Sequence, residues 1–133
     1  MLLLGGTAEA ADMAARLHAR SIAVTTSLAG RTREPKPVMG QIRIGGFGGP
    51  EGLAAYIKAH HITLLVDMTH PFATRMSENA RKASLITGVQ LLHWQRPGWA
   101  KLEGDNWIKV TDIPAAVAAI PTHARVLLAL GSQ

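Results

Sequence analysis

The sequence predicts an α/β fold in which one parallel sheet carries helices on both faces. Short apolar segments alternate with stretches of ten or more residues that favour a helix, and this alternation is typical of βαβ units. The clearest buried strand covers residues 62–67, where Ile, Leu and Val predominate. Glycines and polar residues follow the predicted strands, at the edge where open parallel sheets bind ligands. Together these observations indicate a Rossmann-like domain.

Each element can be assigned from local signals. Thr7 is a suitable N-cap for the first helix, Pro50 fits the first position of the second, and Gly88 fits the C-cap of the third. We predict helices over residues 7–20, 51–60, 72–87 and 111–120. We predict strands over residues 2–4, 22–27, 41–44, 62–67, 89–94, 107–110 and 125–130.

The end of the sequence resembles its beginning, since Ala129-Leu130-Gly131 repeats the pattern of Leu3-Leu4-Gly5. In an α/β protein, a glycine turn after an apolar strand leads into another helix. We therefore expect residues 1–123 to form one Rossmann-like domain and residues 124–133 to be a strand leading into a second domain that this sequence lacks. The final strand is expected to pair with that missing C-terminal domain or with another copy of the chain.

Composition excludes several classes of protein. The 133 residues carry a net charge of +5 and no cysteine, which excludes disulfides, zinc–thiolate sites and cysteine nucleophiles. The charge favours anionic partners, but the few aromatic residues do not form the stacking surface of a single-stranded nucleic-acid binder. No apolar run approaches the roughly 18 residues that span a membrane, and the histidines lack metal-ligand spacing. We expect a cytoplasmic protein without a metal, a membrane segment or a nucleic-acid partner.

The first candidate binding loop is Gly5-Gly6-Thr7, between the first strand and the first helix. Glycines allow backbone N–H groups and a helix N-terminus to approach a pyrophosphate closely. The match to the G-x-G-x-x-G/A pattern is partial, because Thr7 replaces the second glycine and Ala10 the third. We expect the Thr7 hydroxyl to donate to a phosphate instead. The alternative interpretation is a tight turn without a ligand.

The second loop indicates which nicotinamide cofactor would bind. Folds that select NAD place an acidic residue after the second strand, whereas this chain has none before Glu34. Hydroxyl and guanidinium groups take its place, and they suit the ribose 2′-phosphate of NADPH or NADP. The residues predicted to bind this cofactor are Ser27, Leu28, Ala29, Gly30, Arg31 and Thr32. A solvated basic loop is the alternative.

The third loop places four glycines around Phe47. Gly45, Gly46 and Gly48 would let a flat ligand lie on the backbone, with Phe47 as a wall. Pro50 opens a helix directly afterwards, which makes a merely flexible loop the weaker interpretation.

The fourth loop follows the clearest strand and includes Asp67, Thr69, His70 and Pro71. Asp67 and His70 are candidates for acid–base chemistry or for binding a substrate. A residue before proline is held extended, which would aim the His70 ring at the site. The alternative is that Asp67 only anchors the loop. Two further cations, which are Arg75 on the next helix and Arg96 after the fifth strand, are placed to reach a substrate carboxylate.

Several motifs together resemble one known family. They are Leu-Gly-Gly-Thr-x-Glu at 4–9, Thr-Ser-Leu-Ala-Gly-Arg-Thr at 26–32, Gly-Gly-Phe-Gly-Gly at 45–49, Asp-x-Thr-His-Pro-Phe-Ala at 67–73, Arg-Pro-x-Trp at 96–99 and the closing Leu-Gly-Ser-Gln. They occur in the order found in the precorrin-6A reductases of cobalamin biosynthesis and cover the whole chain. The sequence is therefore similar to the N-terminal domain of that family.

The resemblance implies an oxidoreductase that uses NADPH to reduce one double bond of the precorrin-6A macrocycle, giving precorrin-6B. It implies two Rossmann-like domains and roughly twice this length. The +5 charge suits a tetrapyrrole substrate with many carboxylates. By this resemblance Asp67 and Thr69 join the cofactor site. The substrate contacts are then His70, Pro71, Arg75 and Arg96, with His70 as the first candidate for the catalytic proton donor.

Other functions stay open from the sequence. A generic short NADP-dependent oxidoreductase would reduce simple enones or ketones and would not bind a precorrin. An NADP-sensing regulatory domain would bind the cofactor, leave it unoxidised and bind a protein partner. A basic nucleic-acid-binding module is a remote alternative, and its affinity for DNA would fall steeply with salt.

Overall fold

The computed structural model describes residues 1–30, 38–98 and 100–128 of the chain. The strands within these ranges are β1 (Leu2–Leu4), β2 (Thr25–Leu28), β3 (Gln41–Ile44), β4 (Leu64–Asp67) and β5 (Gln90–His93). The helices there are α1 (Ala8–Ala19), α2 (Pro50–Ala59), α3 (Thr74–Thr87) and α4 (Ile113–Ala118).

The strands of the described residues form one parallel sheet in the order β3-β2-β1-β4-β5. The central strand β1 pairs with β2 on one side and β4 on the other, so that Leu3 lies level with both Thr26 and Val66. The order in which strands are added therefore reverses between β1 and β4. Such a reversal opens a crevice at the carboxyl ends of these strands, where α/β sheets bind ligands.

Each face of the sheet has its own hydrophobic core, because the side chains of β1 alternate between the two faces. Leu2 and Leu4 pack with buried residues of α2 and α3, whereas Leu3 packs with Ala10 and Ala14 of α1. A parallel sheet covered on both faces needs apolar residues at consecutive positions, which is what the Leu run of β1 provides. The predicted α/β fold, with helices on both faces of a parallel sheet, is confirmed.

The helix ends follow the local signals in the sequence. Thr7 caps α1 by accepting a hydrogen bond from the Ala10 backbone N–H at 3.1 Å. Pro50 occupies the first turn of α2, where its missing N–H leaves no bond unmade. Gly88 ends α3 in the left-handed conformation, with φ 73°. These three predictions are confirmed.

Two predicted strands are wrong in the residues that the structure describes. Residues 107–110 form no strand, and neither do residues 125–128; residues 129 and 130 lie outside the described part. Both segments have apolar, partly β-branched sequences, but a strand also needs a neighbouring strand to pair its backbone groups. The predicted strand at 22–27 is also displaced, since pairing begins at Thr25.

The chain divides into two compact units, Met1–Arg96 and Pro97–Gln133. The first unit contains the whole five-stranded sheet with α1, α2 and α3. In the second unit, α4 is the one helix among the described residues, and no residue of 97–98 or 100–128 is buried. A domain covering residues 1–123 stays a prediction. Over the described ranges, no helix is both long and apolar enough to cross a bilayer.

Candidate functional site

The loops that the sequence analysis singled out leave neighbouring strands at the same edge of the sheet. Backbone hydrogen bonds continue the sheet into these loops. The Gly5 N–H donates to the Ser27 carbonyl at 2.9 Å, and the Met68 N–H donates to the Leu4 carbonyl at 3.0 Å. The loops after β1, β2 and β4 therefore start side by side, on both sides of the crevice between β1 and β4.

The loop after β1 combines a packed glycine with an open one. A Cβ on Gly5 would lie 3.0 Å from the Thr26 side chain and 3.5 Å from that of Ala10, so a larger residue would require the Thr26 side chain to shift. Gly6 has φ +117°, and apart from its chain neighbours no atom of the residues that the structure describes lies within 4 Å of where its Cβ would be. The Thr7 hydroxyl donates to the Met68 carbonyl at 3.0 Å. Its proton is thus already engaged, and the predicted contact to a phosphate requires that bond to exchange.

The loop after β2 is described only in part. Ser27 is buried, Leu28 is half-buried, and Ala29 and Gly30 are exposed. Gly30 has φ +74° and approaches the Ile44 side chain of β3. Two of the residues predicted to contact the 2′-phosphate, Arg31 and Thr32, lie outside the described residues.

Arg43, near the end of β3, contacts the glycine loop in a way that the sequence analysis did not anticipate. Its guanidinium donates to the carbonyls of Gly45 and Gly46, at 2.5 and 2.7 Å, and approaches the Ser27 hydroxyl at 3.4 Å. The same group lies 3.8 Å from the centre of the Phe47 ring. The available signal was a basic residue two positions before a run of glycines.

The glycine loop itself presents open backbone. Gly45 and Gly48 have φ +113° and +78°. Among the described residues, chain neighbours aside, no atom lies within 4 Å of a Cβ on either residue or on Gly46. Phe47 is half-buried, with its ring edge-on to Tyr56 at 5.3 Å between centres. The Phe47 ring, which was predicted to border a flat ligand, is therefore already stacked against the Arg43 guanidinium. Among the described residues, the glycine backbone beside this ring is open to a ligand.

Asp67 is the buried acid of this edge, with no exposed surface. Its carboxylate accepts bonds from the Thr69 hydroxyl at 2.7 Å and the Thr69 N–H at 3.1 Å, and it lies 3.1 Å from His93 Nδ1. Burial raises the pKa of Asp67, but hydrogen bonds from Ser77, Thr69 and His93 outweigh it and hold the pKa below its ordinary value of 3.8. Asp67 is thus ionised at neutral pH and orders the loop around it.

A surface cleft of about 370 Å³ opens beside Asp67, between the loop after β4, α3 and β5. His70 and Pro71 line it together with His93, which the sequence analysis did not single out. The exposed His70 ring accepts the Phe72 N–H at Nδ1 at 3.2 Å. The structure thus brings two of the predicted substrate contacts into one cleft.

The two predicted cations fall elsewhere. Arg75 is exposed on α3 and does not line the cleft. Arg96 pairs with Glu9 at 2.7 Å, in the first turn of α1. Arg96 therefore lies next to the loop after β1 rather than in the cleft beside β4.

Five parallel strands in this order, with glycine loops at their carboxyl edge, define a Rossmann-like α/β domain. Over residues 1–133 the chain matches the family model of the precorrin-6x reductase CbiJ/CobK. The chain belongs to that family, and the resemblance drawn from its motifs is confirmed.

Individual relatives agree with this assignment. The chain is 48% identical over 136 residues to the precorrin-6A reductase of Sinorhizobium sp, covering all of this chain and 52% of that protein. It is 45% identical over 134 residues to the precorrin-6A reductase of Rhodobacter capsulatus, covering 53% of it. A solved structure of CobK precorrin-6A reductase superposes with a TM-score of 0.84 at 44% identity, over 90% of this chain and 48% of that one. The chain spans about half the length of the curated relatives it matches.

Proposed function

We propose that a protein carrying this chain reduces one double bond of the precorrin-6A macrocycle with NADPH, giving precorrin-6B in cobalamin biosynthesis. The observation that carries this proposal is the open glycine backbone at the carboxyl edge of the sheet, in a chain that belongs to a reductase family. The part proposed for this chain is to bind the cofactor and to form one side of the substrate site.

The residues at the carboxyl edge fit a dinucleotide. Within the described part of the chain, space is open where a side chain would project from Gly6, Gly45, Gly46 or Gly48, so a ligand could contact their backbone directly. Thr7 places the N-terminus of α1 beside this space, where the helix dipole and free N–H groups favour a pyrophosphate. When bound, the nicotinamide would supply a hydride to the substrate.

NADPH, rather than NADH, is the cofactor that the loop after β2 favours. Ser27 lies at the end of β2, and no acidic residue precedes Glu34 in the sequence. The proposed contacts to the 2′-phosphate are Ser27, Arg31 and Thr32, with hydroxyl and guanidinium donors. Leu28, Ala29 and Gly30 would provide backbone for the ribose, while Asp67 and Thr69 would border the crevice from β4.

The substrate is proposed to meet the cofactor near the cleft beside β4. His70 and Pro71 line this cleft, and the imidazole of His70 is exposed and able to donate or accept a proton. Its role as proton donor stays a prediction. Arg75 and Arg96, both exposed, remain proposed contacts for substrate carboxylates, and Arg96 would exchange its bond to Glu9 for such a contact.

A further domain, or another copy of the chain, is the proposed partner of the second unit. The curated relatives are about twice as long as this chain. Residues 107–128 expose many large apolar side chains, including Ile108, Val117 and Leu127. Such exposure is unusual for a surface in contact with water alone.

The first test is a calorimetric titration of the chain with NADPH and with NADH. We expect tighter binding of NADPH, and Arg31→Ala should weaken NADPH about tenfold more than NADH. Arg20→Ala is the matched control, because Arg20 follows the last turn of α1 and is exposed away from the glycine loops. If Arg31→Ala lowered the affinity for NADPH and NADH equally, Arg31 would not be the residue that contacts the 2′-phosphate.

The second test separates the reductase from the alternatives. A protein of the relatives' length that carries this chain should oxidise NADPH when precorrin-6A is added, followed as the loss of NADPH absorbance. A sensor domain would bind NADPH and leave it unoxidised. A generic oxidoreductase would oxidise it with simple enones and not with precorrin-6A.

A further inference from the structure

Arg43 contacts several groups of the candidate site at once. Open glycines could bind a cofactor through their backbone without these contacts. In the sheet register Arg43 lies opposite Ser27, so the two side chains project from the same face at the carboxyl edge. Its guanidinium reaches the Ser27 hydroxyl, the carbonyls of Gly45 and Gly46 and the face of the Phe47 ring. One side chain thus connects the end of β2 to the loop after β3.

The loop that Arg43 holds would not be ordered by its own composition. Glycines lose more conformational freedom on folding than other residues, and Gly45, Gly48 and Gly49 all have positive φ. The loop also adds little to the hydrophobic core, because Phe47 is its one side chain that packs there. Ordering it therefore costs conformational entropy that core packing offsets only in part.

A second contact restrains the loop at Phe47. The Phe47 carbonyl lies directly against Gly52 in the first turn of α2, where a Cβ could not be accommodated. The loop thus contacts both the guanidinium of Arg43 and the backbone of Gly52. Structures restrain an exposed loop in this way where a binding geometry has to be preorganised.

We propose that Arg43 is a positioning residue for the adenosine end of the cofactor. It holds the glycine loop 45–49 open beside Ser27, so that the loop receives the ribose and its phosphate without further ordering. This inference rests on the proposed cofactor site. The adenosine end is assigned to β2 and β3 because a dinucleotide lies across the crevice at β1, and the residue after β2 reads its ribose.

The test uses the chain with Arg43→Met, which keeps an unbranched apolar stem over Phe47 but removes every donor. The probes are NADPH, adenosine 2′,5′-bisphosphate and nicotinamide mononucleotide, each titrated by calorimetry. We expect affinity for NADPH and for the bisphosphate to fall about tenfold, because the loop must then be ordered on binding. Affinity for the mononucleotide should not change. Equal losses for all three probes, or no loss for any, would overturn the proposal.

Arg43→Lys distinguishes positioning from charge alone. Lysine keeps the positive charge but lacks the planar fork that donates to two carbonyls at once. We expect this variant to bind the bisphosphate as weakly as Arg43→Met. Binding at the wild-type level would show that charge suffices and would overturn the positioning role.

Hydrogen exchange provides a readout that needs no ligand. In Arg43→Met, amide exchange over residues 45–49 should become faster, while the loop 5–7 should exchange as in the wild type. Unchanged exchange over 45–49 would overturn the inference even if no dinucleotide bound. Faster exchange in Arg43→Met, together with a wild-type chain that binds neither NADPH nor the bisphosphate, would support the positioning role and count against the proposed cofactor.

Discussion

The two compact units of the chain differ in the burial of their apolar side chains. Met1–Arg96 contains all the buried apolar residues among those described, and they form two cores, one on each face of the sheet. In Pro97–Gln133, no residue within 97–98 or 100–128 is buried, and Leu127 is 92% exposed. The two units nevertheless have comparable local signals for helices.

The difference between the two units shows that the signals which form a helix locally are not those that stabilise it. α1 and α4 both start with a side-chain cap, from Thr7 and Asp112 respectively. α1 also buries Ala10 and Ala14 against the sheet, whereas α4 has no buried residue. Capping and propensity place a helix in the chain, but most of the free energy that keeps it folded comes from packing. We therefore expect the first unit to determine the stability of the chain.

The largest expected effect is that of a core truncation. Leu65→Ala removes a fully buried side chain from β4 and should lower the free energy of unfolding by about 3–4 kcal/mol. Leu127→Ala makes the same chemical change at an exposed position of the second unit. It should change the free energy of unfolding by less than about 0.5 kcal/mol. Urea unfolding followed by circular dichroism measures both. Similar losses would mean that the second unit has a core of its own in solution.

A glycine substitution comes next in size. Gly52→Ala would place a Cβ against the Phe47 carbonyl and should cost about 2–3 kcal/mol, because backbone must move on one side or the other. Gly98→Ala is the matched change in the second unit, where the new Cβ has no atom of a described residue within 4 Å other than those of its chain neighbours. The shift in the urea midpoint should be large for the first variant and within error for the second. Equal shifts would contradict the contact.

The helix caps give a smaller contrast. Thr7→Ala should cost about 1–2 kcal/mol, since it removes both the cap of α1 and the bond to the Met68 carbonyl. Asp112→Ala removes a similar side-chain cap from α4 and should leave global stability unchanged, because α4 has no buried residue. Thermal unfolding measures both variants. A comparable loss for Asp112→Ala would show that α4 is coupled to the folded core.

The smallest expected effect is a pH dependence. Because the pKa of Asp67 is lower in the folded chain than its ordinary value of 3.8, its carboxylate stabilises the fold above that pH. The contribution is lost as the pH falls from 3.8 through the lower folded pKa. Asp67→Asn should therefore flatten the dependence of stability on pH below 3.8, measured by urea unfolding across acidic pH.

The sequence predicted most of the sheet because its signals are local. Four local signals each favour one position in an α/β fold, and the structure places them as expected. They are the Leu run of β1, the Thr7 cap, Pro50 and Gly88. The motifs also identified the family over the whole chain. The strands at 107–110 and 125–128 were wrong because strand formation depends on a partner strand, which no local pattern specifies.

Contacts between distant residues were decided only by the tertiary structure. Asp67 meets His93 across two adjacent strands, Arg96 meets Glu9 of α1, and Arg43 reaches the Ser27 hydroxyl. These pairs depend on strand order and register, and a side chain's partners in a parallel sheet lie one crossover away in sequence. The sequence by itself determined the elements, their caps and the family. The sheet order then determined which charged and polar groups meet at its carboxyl edge.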